Sequence, residues 1–202
     1  TSPYASAYGD VARSKNILID NQELRFGPSV AINSLLNVAG NLTIQNSNGY
    51  VNMLAGGEIE LTGNWINNKG TAGFAEGLGT VEEIGTAVQN IITVSSTEAF
   101  NNLIINNTSN LNNGVTLLKN ATVAGVFTLI DGRVLTTQST LLTVINNVTT
   151  AVVGGATNTY VNGPMARWTA GTGDYNFPVG KPTGPYRVYR PAIIAPASAG
   201  AT

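Results

Sequence analysis

Eleven carboxylates run through the chain, and they come close together in only two places, EIE at 58–60 and EE at 82–83. Glu58 and Glu60 stand two residues apart, so an extended strand puts both on one face and Ile59 and Leu61 on the other. By the same alternation Glu82 and Glu83 point to opposite faces. Clustered carboxylates are the working groups of glycosidases and polysaccharide lyases, the latter with an Arg or Lys base and a bound cation. At this spacing all four glutamates read as solvated surface. His and Cys are absent. That removes His-based triads, imidazole acid–base work, most zinc sites, thiolate metal ligation and any disulfide framework.

Calcium asks for several converging oxygens, and the repeated GGxGxD pattern of calcium β-rolls does not occur. GTGDYN at 171–176 offers Asp174, Asn176 and carbonyls, and reads as a hairpin turn. GLGTVEEIG at 77–85 has neither the Lys nor the helix start of a phosphate cradle. No cofactor is expected. Sugar rings stack on exposed aromatics, which makes Trp65, Trp168 and Tyr175 the candidate ligand-stacking residues. The competing reading for the two tryptophans is packing: Trp65 sits beside Ile66 in a repeat, and Trp168 follows the strand GPMAR. The threonines form no sustained T-x-T rank of the kind that binds ice.

The elements that must hold these residues follow from composition. Only 10% of the residues are charged, against roughly 25% in typical soluble domains. Neutral Asn, Thr and Ser take their place, with 23 Gly. Such residues serve turns and sheets better than helices, which points to an all-β chain. A net charge of −1 and scattered Lys and Arg argue against nucleic acid. Apolar runs such as VAGV and LLTVI fall far short of the roughly 20 residues of a membrane helix. The opening TSPYASAYGD has no basic-then-apolar leader, so a signal peptide is expected to have been removed or to lie outside this sequence.

Apolar pairs two residues apart mark single strand faces at Leu42/Ile44, Val51/Met53, Ile59/Leu61, Ile92/Val94, Leu103/Ile105, Val115/Leu117, Phe127/Leu129 and Leu142/Val144. From Leu103 the pairs begin about 12, 12 and 15 residues apart, the scale of one strand and one turn. Two such strands make a coil of roughly 24 residues, within the range of stacked repeats. No useful helix-period face is present. In a solenoid, NN at 67–68, 101–102, 106–107, 112–113 and 146–147, and NG at 48–49, 113–114 and 162–163, become corners. Asn and Gly tolerate left-handed backbone there, and stacked amides can form ladders. The expected organisation is an N-terminal cap or extended segment over 1–33, β-solenoid repeats over 34–150, and β-sandwich-like strands over 151–202, where aromatics, Pro and Arg become more frequent.

FNNLIINN, VTLLKNATVAGVFTLIDGRVLTT, YVNGPMAR, FPVG and YRPAII stand in that order between Phe100 and Ile194, with GNWINN upstream at 63–68. This order resembles a segment common in large surface proteins of bacteroidete bacteria exported by the type IX secretion system. The resemblance implies an extracellular, repeat-built adhesin or filament with no catalytic residues to carry over. The expectation is therefore a non-catalytic structural module at the cell surface, with stacked strands giving a rigid rod and head-to-tail self-association. A carbohydrate-binding adhesin domain is the first alternative and a polysaccharide-degrading β-helix enzyme the second. Neither nucleic acid nor a membrane span is expected.

Overall fold

The computed structural model describes residues 15–26, 35–109, 114–183 and 186–197. They form a parallel β-solenoid of about six turns with no α-helix among them. Each turn contributes three short strands. The first turn is β1 (Ile17–Ile19), β2 (Glu23–Arg25) and β3 (Leu35–Val38). The second is β4 (Leu42–Ile44), β5 (Tyr50–Asn52) and β6 (Glu58–Leu61); the third, β7 (Trp65–Asn67), β8 (Phe74–Ala75) and β9 (Thr80–Glu83). The fourth is β10 (Gln89–Thr93), β11 (Thr97–Phe100) and β12 (Asn102–Asn106), and the fifth β13 (Val115–Leu117), β14 (Asn120–Val123) and β15 (Phe127–Asp131). The sixth is β16 (Val134–Leu135), β17 (Leu142–Val144) and β18 (Val152–Gly154). Beyond it lie β19 (Val161–Asn162), β20 (Met165–Arg167), β21 (Tyr175–Phe177), β22 (Val179–Thr183), β23 (Tyr186–Tyr189) and β24 (Ala192–Ile194).

Every third strand stacks, so three faces result. One face runs β1-β4-β7-β10-β13-β16-β19-β22 in parallel and ends with β23 antiparallel on β22. A second runs unbroken from β3 to β18 through β6, β9, β12 and β15. The remaining face is split into β2-β5-β8 and β11-β14-β17-β20, with no ladder between β8 and β11. The coil length expected from the sequence holds, since corner residues of successive turns are 25, 23 and 26 apart, but three strands share each coil rather than two.

Alternation places one side chain in two inside the coil, where apolar burial at roughly 25 cal/mol per Å² drives the stacking. Leu103, Val115, Phe127 and Leu142 are all fully buried, as their spacing predicts. Ile92 and Val94 are the exception. Gln89, Ile91 and Thr93 take the inward positions of β10, and Val94 is 64% exposed. The cause is register: Ile91 stacks on Trp65 and Ile92 on the outward Ile66. An inward Gln and Thr break the apolar alternation that would have revealed this parity.

The asparagines work differently from the expectation of left-handed corners. Asn21 is the only non-glycine among the described residues with positive φ, at 51°. Four asparagines outside those NN and NG pairs, at the corner that opens each turn, act through their side chains. The Asn16 Oδ1 accepts from the Asn41 N–H at 2.8 Å, Asn41 Oδ1 from the Asn64 N–H at 2.7 Å, and Asn64 Oδ1 from the Asn90 N–H at 2.7 Å. One asparagine per turn thus stitches four turns together. The turns approach so closely here that a Cβ on Gly63 would lie 2.3 Å from the carbonyl carbon of Gly40.

The stack begins before residue 34, since β1 pairs with β4 and β2 with β5. Residues 1–14 and 27–33 of the expected cap lie outside the described residues, as do Asn112 and Asn113. At the other end the β-sandwich expected over 151–202 is not confirmed. There β18, β19, β20 and β22 continue the parallel stack, followed by two short antiparallel ladders, β22–β23 and β21–β24. GTGDYN does not close a hairpin either: β20 stacks on β17, whereas β21 pairs with β24. No helix of the described residues is long and apolar enough to cross a membrane.

Candidate functional sites on the solenoid

Stacking brings together carboxylates that the sequence holds apart. Glu58 and Glu60 face outward from β6, and Glu60 lies opposite Glu82 on β9. Carboxylate oxygens of Glu58, Glu60 and Glu82 all lie within 4.8 Å of one another. Asn37 Nδ2 donates to Glu60 at 2.8 Å, and Asn106 Nδ2 donates to Glu82 at 2.9 Å. Among the described residues none of the three forms an ion pair. Burial, followed by repulsion from Glu82 and Glu60, holds the Glu58 carboxyl above its ordinary range. Three such groups can serve as hard oxygen ligands or divide acid and base roles between them. The solvated reading is therefore corrected for this group: Glu58 and Glu60 are half-buried and Glu82 is buried.

Glu83 departs further from that reading, because it points into the core and is completely buried. Gln89 Nε2 donates to Glu83 Oε2 and to the carbonyls of Leu61 at 2.8 Å and Gly63 at 2.6 Å. Gln89 Oε1 accepts from the Gly85 N–H at 2.6 Å and from Asn107 Nδ2 at 2.7 Å. Glu83 Oε1 has no partner. Burial pushes this carboxyl well above the usual carboxylate range, only partly opposed by Gln89. The network joins three successive turns and is structural in its contacts.

A third acidic group went unnoticed in the sequence. Glu98 shares the inward parity of Phe100 on β11 and is only 3% exposed. Its Oε1 accepts from the Trp65 indole Nε1 at 3.2 Å and from Asn67 Nδ2 at 2.9 Å, and its Oε2 from the same amide at 3.2 Å. Asn67 is itself fixed, its Oδ1 accepting from the N–H groups of Lys69 and Gly70. Burial raises the Glu98 carboxyl, and its hydrogen-bond donors oppose this. Beside it opens a cleft of about 200 Å³ lined by Thr71, Phe74, Glu76, Thr97, Glu98 and Ala99. The cleft lies where the split face is interrupted between β8 and β11. The only signal in the sequence was a charged residue at an inward position of T-E-A-F.

The three stacking candidates are not brought together. Trp65 is fully buried and packs edge-on against Phe74 and Phe100, with ring centroids 4.7 and 5.6 Å away. Tyr175 is buried too, its hydroxyl donating to the Asn147 carbonyl at 2.9 Å and accepting from the Ala170 and Gly171 N–H groups. Neither ring offers a face to a sugar. Trp168 is 58% exposed, contrary to the packing reading, and stands alone of the three at the surface. No protein-family model matches the chain, and no curated protein or solved structure matches it either.

Proposed function

We propose that this chain is a non-catalytic structural module of an extracellular bacterial adhesin or filament, in which the β-solenoid acts as a stiff rod that associates with copies of itself. The observation that carries the reading is the continuity of the ladders. Two faces run without a break through six or more strands, and the inward Gln89 together with the corner asparagines is occupied in joining one turn to the next. Such a stack resists bending because on two of its three faces each inner turn is bonded to both neighbours. The ends supply the means of association: among the described residues β1, β2 and β3 each lie at the end of a sheet, and β24 pairs on one side only, with all three of its residues exposed. Strand addition at such edges uses main-chain bonds for affinity and alternate side chains for specificity. The ordered motifs from FNNLIINN to YRPAII support the surface location. Negative-stain electron microscopy with sedimentation of the purified protein tests the reading. Filaments or end-to-end rods are the expected outcome, and a compact monomer at high concentration rejects self-association.

The Glu58, Glu60 and Glu82 cluster favours a second reading, a polysaccharide-cleaving solenoid. Incubation with a panel of acidic and neutral glycans decides between them. Turnover that disappears in Glu60→Gln would replace the structural reading with the enzymatic one.

A further inference from the structure

The cleft between β8 and β11 has the features of a small binding site, and its lining narrows the ligand. The parallel stack on this face stops at β8 and resumes at β11, so neither strand finds a ladder partner on the side facing the gap. A 3₁₀ turn at Gly70–Ala72 bridges the interval, with the Thr71 N–H donating to Ser95 Oγ at 3.1 Å. The resulting space is about 200 Å³, enough for a short alkyl chain or one sugar ring but not for a strand. Its lining includes Glu98, whose carboxylate is held in place by an indole and an amide that is itself held. Glu76 supplies a second carboxylate in the lining and no basic residue lines the space.

We propose that this cleft binds a primary ammonium group, with Glu98 and Glu76 as its counter-charges and the Phe74 ring as its apolar wall. Charge excludes phosphates, sulfates and uronates, because two carboxylates in a partly desolvated space repel them. A calcium ion is disfavoured because the lining offers only two carboxylates, Glu76 and Glu98, towards the six to eight oxygens it needs. A neutral polyol would hydrogen-bond but leave both charges uncompensated. An ammonium group does both, donating up to three charge-assisted hydrogen bonds to carboxylates and the Thr71 and Thr97 hydroxyls while its alkyl or ring carbons meet Phe74. The proposal does not depend on the filament reading.

Trp65 is a built-in reporter, since its indole N–H bonds to Glu98 and the only other tryptophan is Trp168. The test is fluorescence titration of the full chain carrying Trp168→Phe with n-butylammonium, glucosamine, Nα-acetyl-lysine methylamide, glucose and calcium chloride at constant ionic strength. The ammonium compounds are expected to shift Trp65 emission saturably, whereas glucose and calcium do not. Glu98→Gln should weaken that response about tenfold or more, and Glu76→Gln, a change away from the Trp65–Asn67 anchor, should weaken it less. Circular dichroism confirms that both variants remain folded; if Glu98→Gln unfolds, Glu76→Gln decides. Tighter binding of glucosamine assigns the ammonium to an amino sugar, and tighter binding of the lysine derivative assigns it to a protein side chain; both support the proposal. It is overturned if no probe saturates, if glucose or calcium matches the amines, or if the folded glutamine variants bind unchanged.

Discussion

Inside the third and fourth turns the Gln89 amide donates to Glu83 Oε2, and the other oxygen of that carboxyl, buried in the core, has no hydrogen-bond partner among the described residues. A carboxylate in this position would carry an uncompensated charge in an apolar interior, and burial raises the group well above the usual carboxylate range.

The sign of the resulting pH dependence is fixed. Folded Glu83 keeps its proton above the ordinary value of 4.5, whereas the unfolded chain releases it there. Between these two values the native state binds more protons, so this group's contribution to stability is complete below pH 4.5 and is lost as pH rises through the folded value. Glu83→Gln should therefore flatten the decline and raise the urea midpoint at neutral pH. Glu98 and Glu58, also raised, add declines of the same sign that the variant leaves in place. A midpoint that falls at neutral pH but not below pH 4.5 would show that Glu83 serves the fold in its charged form.

Phe127 tests the sealed core. It is fully buried between Leu103 and Val152 in the adjoining turns. Phe127→Ala should cost about 3–5 kcal/mol in equilibrium unfolding, through lost burial and the cavity left behind. A loss below about 1 kcal/mol would mean that the turns close over the gap.

The asparagine column predicts a local effect. Asn64 Oδ1 is the acceptor for both the backbone and the side-chain N–H of Asn90. Asn64→Ala should cost about 1–3 kcal/mol by leaving the Asn90 backbone donor unsatisfied. Amide hydrogen exchange should accelerate first at Asn90. Asn48, whose side chain meets only that of Asn21 at the surface, is the control, and Asn48→Ala should change little.

For assembly, the exposed edge at β24 is the place to intervene. Ile193 is 67% exposed on a strand that, among the described residues, pairs with β21 alone. Ile193→Lys should abolish end-to-end association seen by sedimentation while leaving the β-rich circular dichroism spectrum unchanged, because charge on an edge strand opposes strand addition. Filaments that persist in this variant would move the contact elsewhere on the molecule.

Most of the architecture was written in residues whose burial follows simple alternation. Leu42/Ile44, Ile59/Leu61 and Val115/Leu117 announced strands, and the spacing of successive strand faces, doubled, announced the coil. The failures share one physical origin: a side chain's surroundings in a stack are set by the turns above and below. Glu82 and Glu58 are adjacent only because β9 lies on β6, and the depth of Glu83 depends on Gln89 reaching it from the next turn. Trp65 and Tyr175 look alike as candidate stacking rings until their neighbours, Phe74 and Asn147, are known. Residue type and strand parity carried the fold, whereas contacts between turns decided the sites.

The asparagine column also constrains how such a chain can change its length over evolutionary time. Asn16, Asn41, Asn64 and Asn90 keep their bonds although the intervals between them differ, so the connecting loops absorb additions and losses while the column stays in phase. A single residue added inside β6 or β9 would exchange the inward and outward side chains of the rest of that strand. An added turn carrying its own asparagine would leave every existing partner in place. Duplication and excision of whole turns are thus the low-cost mutations open to this molecule, and they would lengthen or shorten it by one strand spacing, about 4.8 Å, at a time.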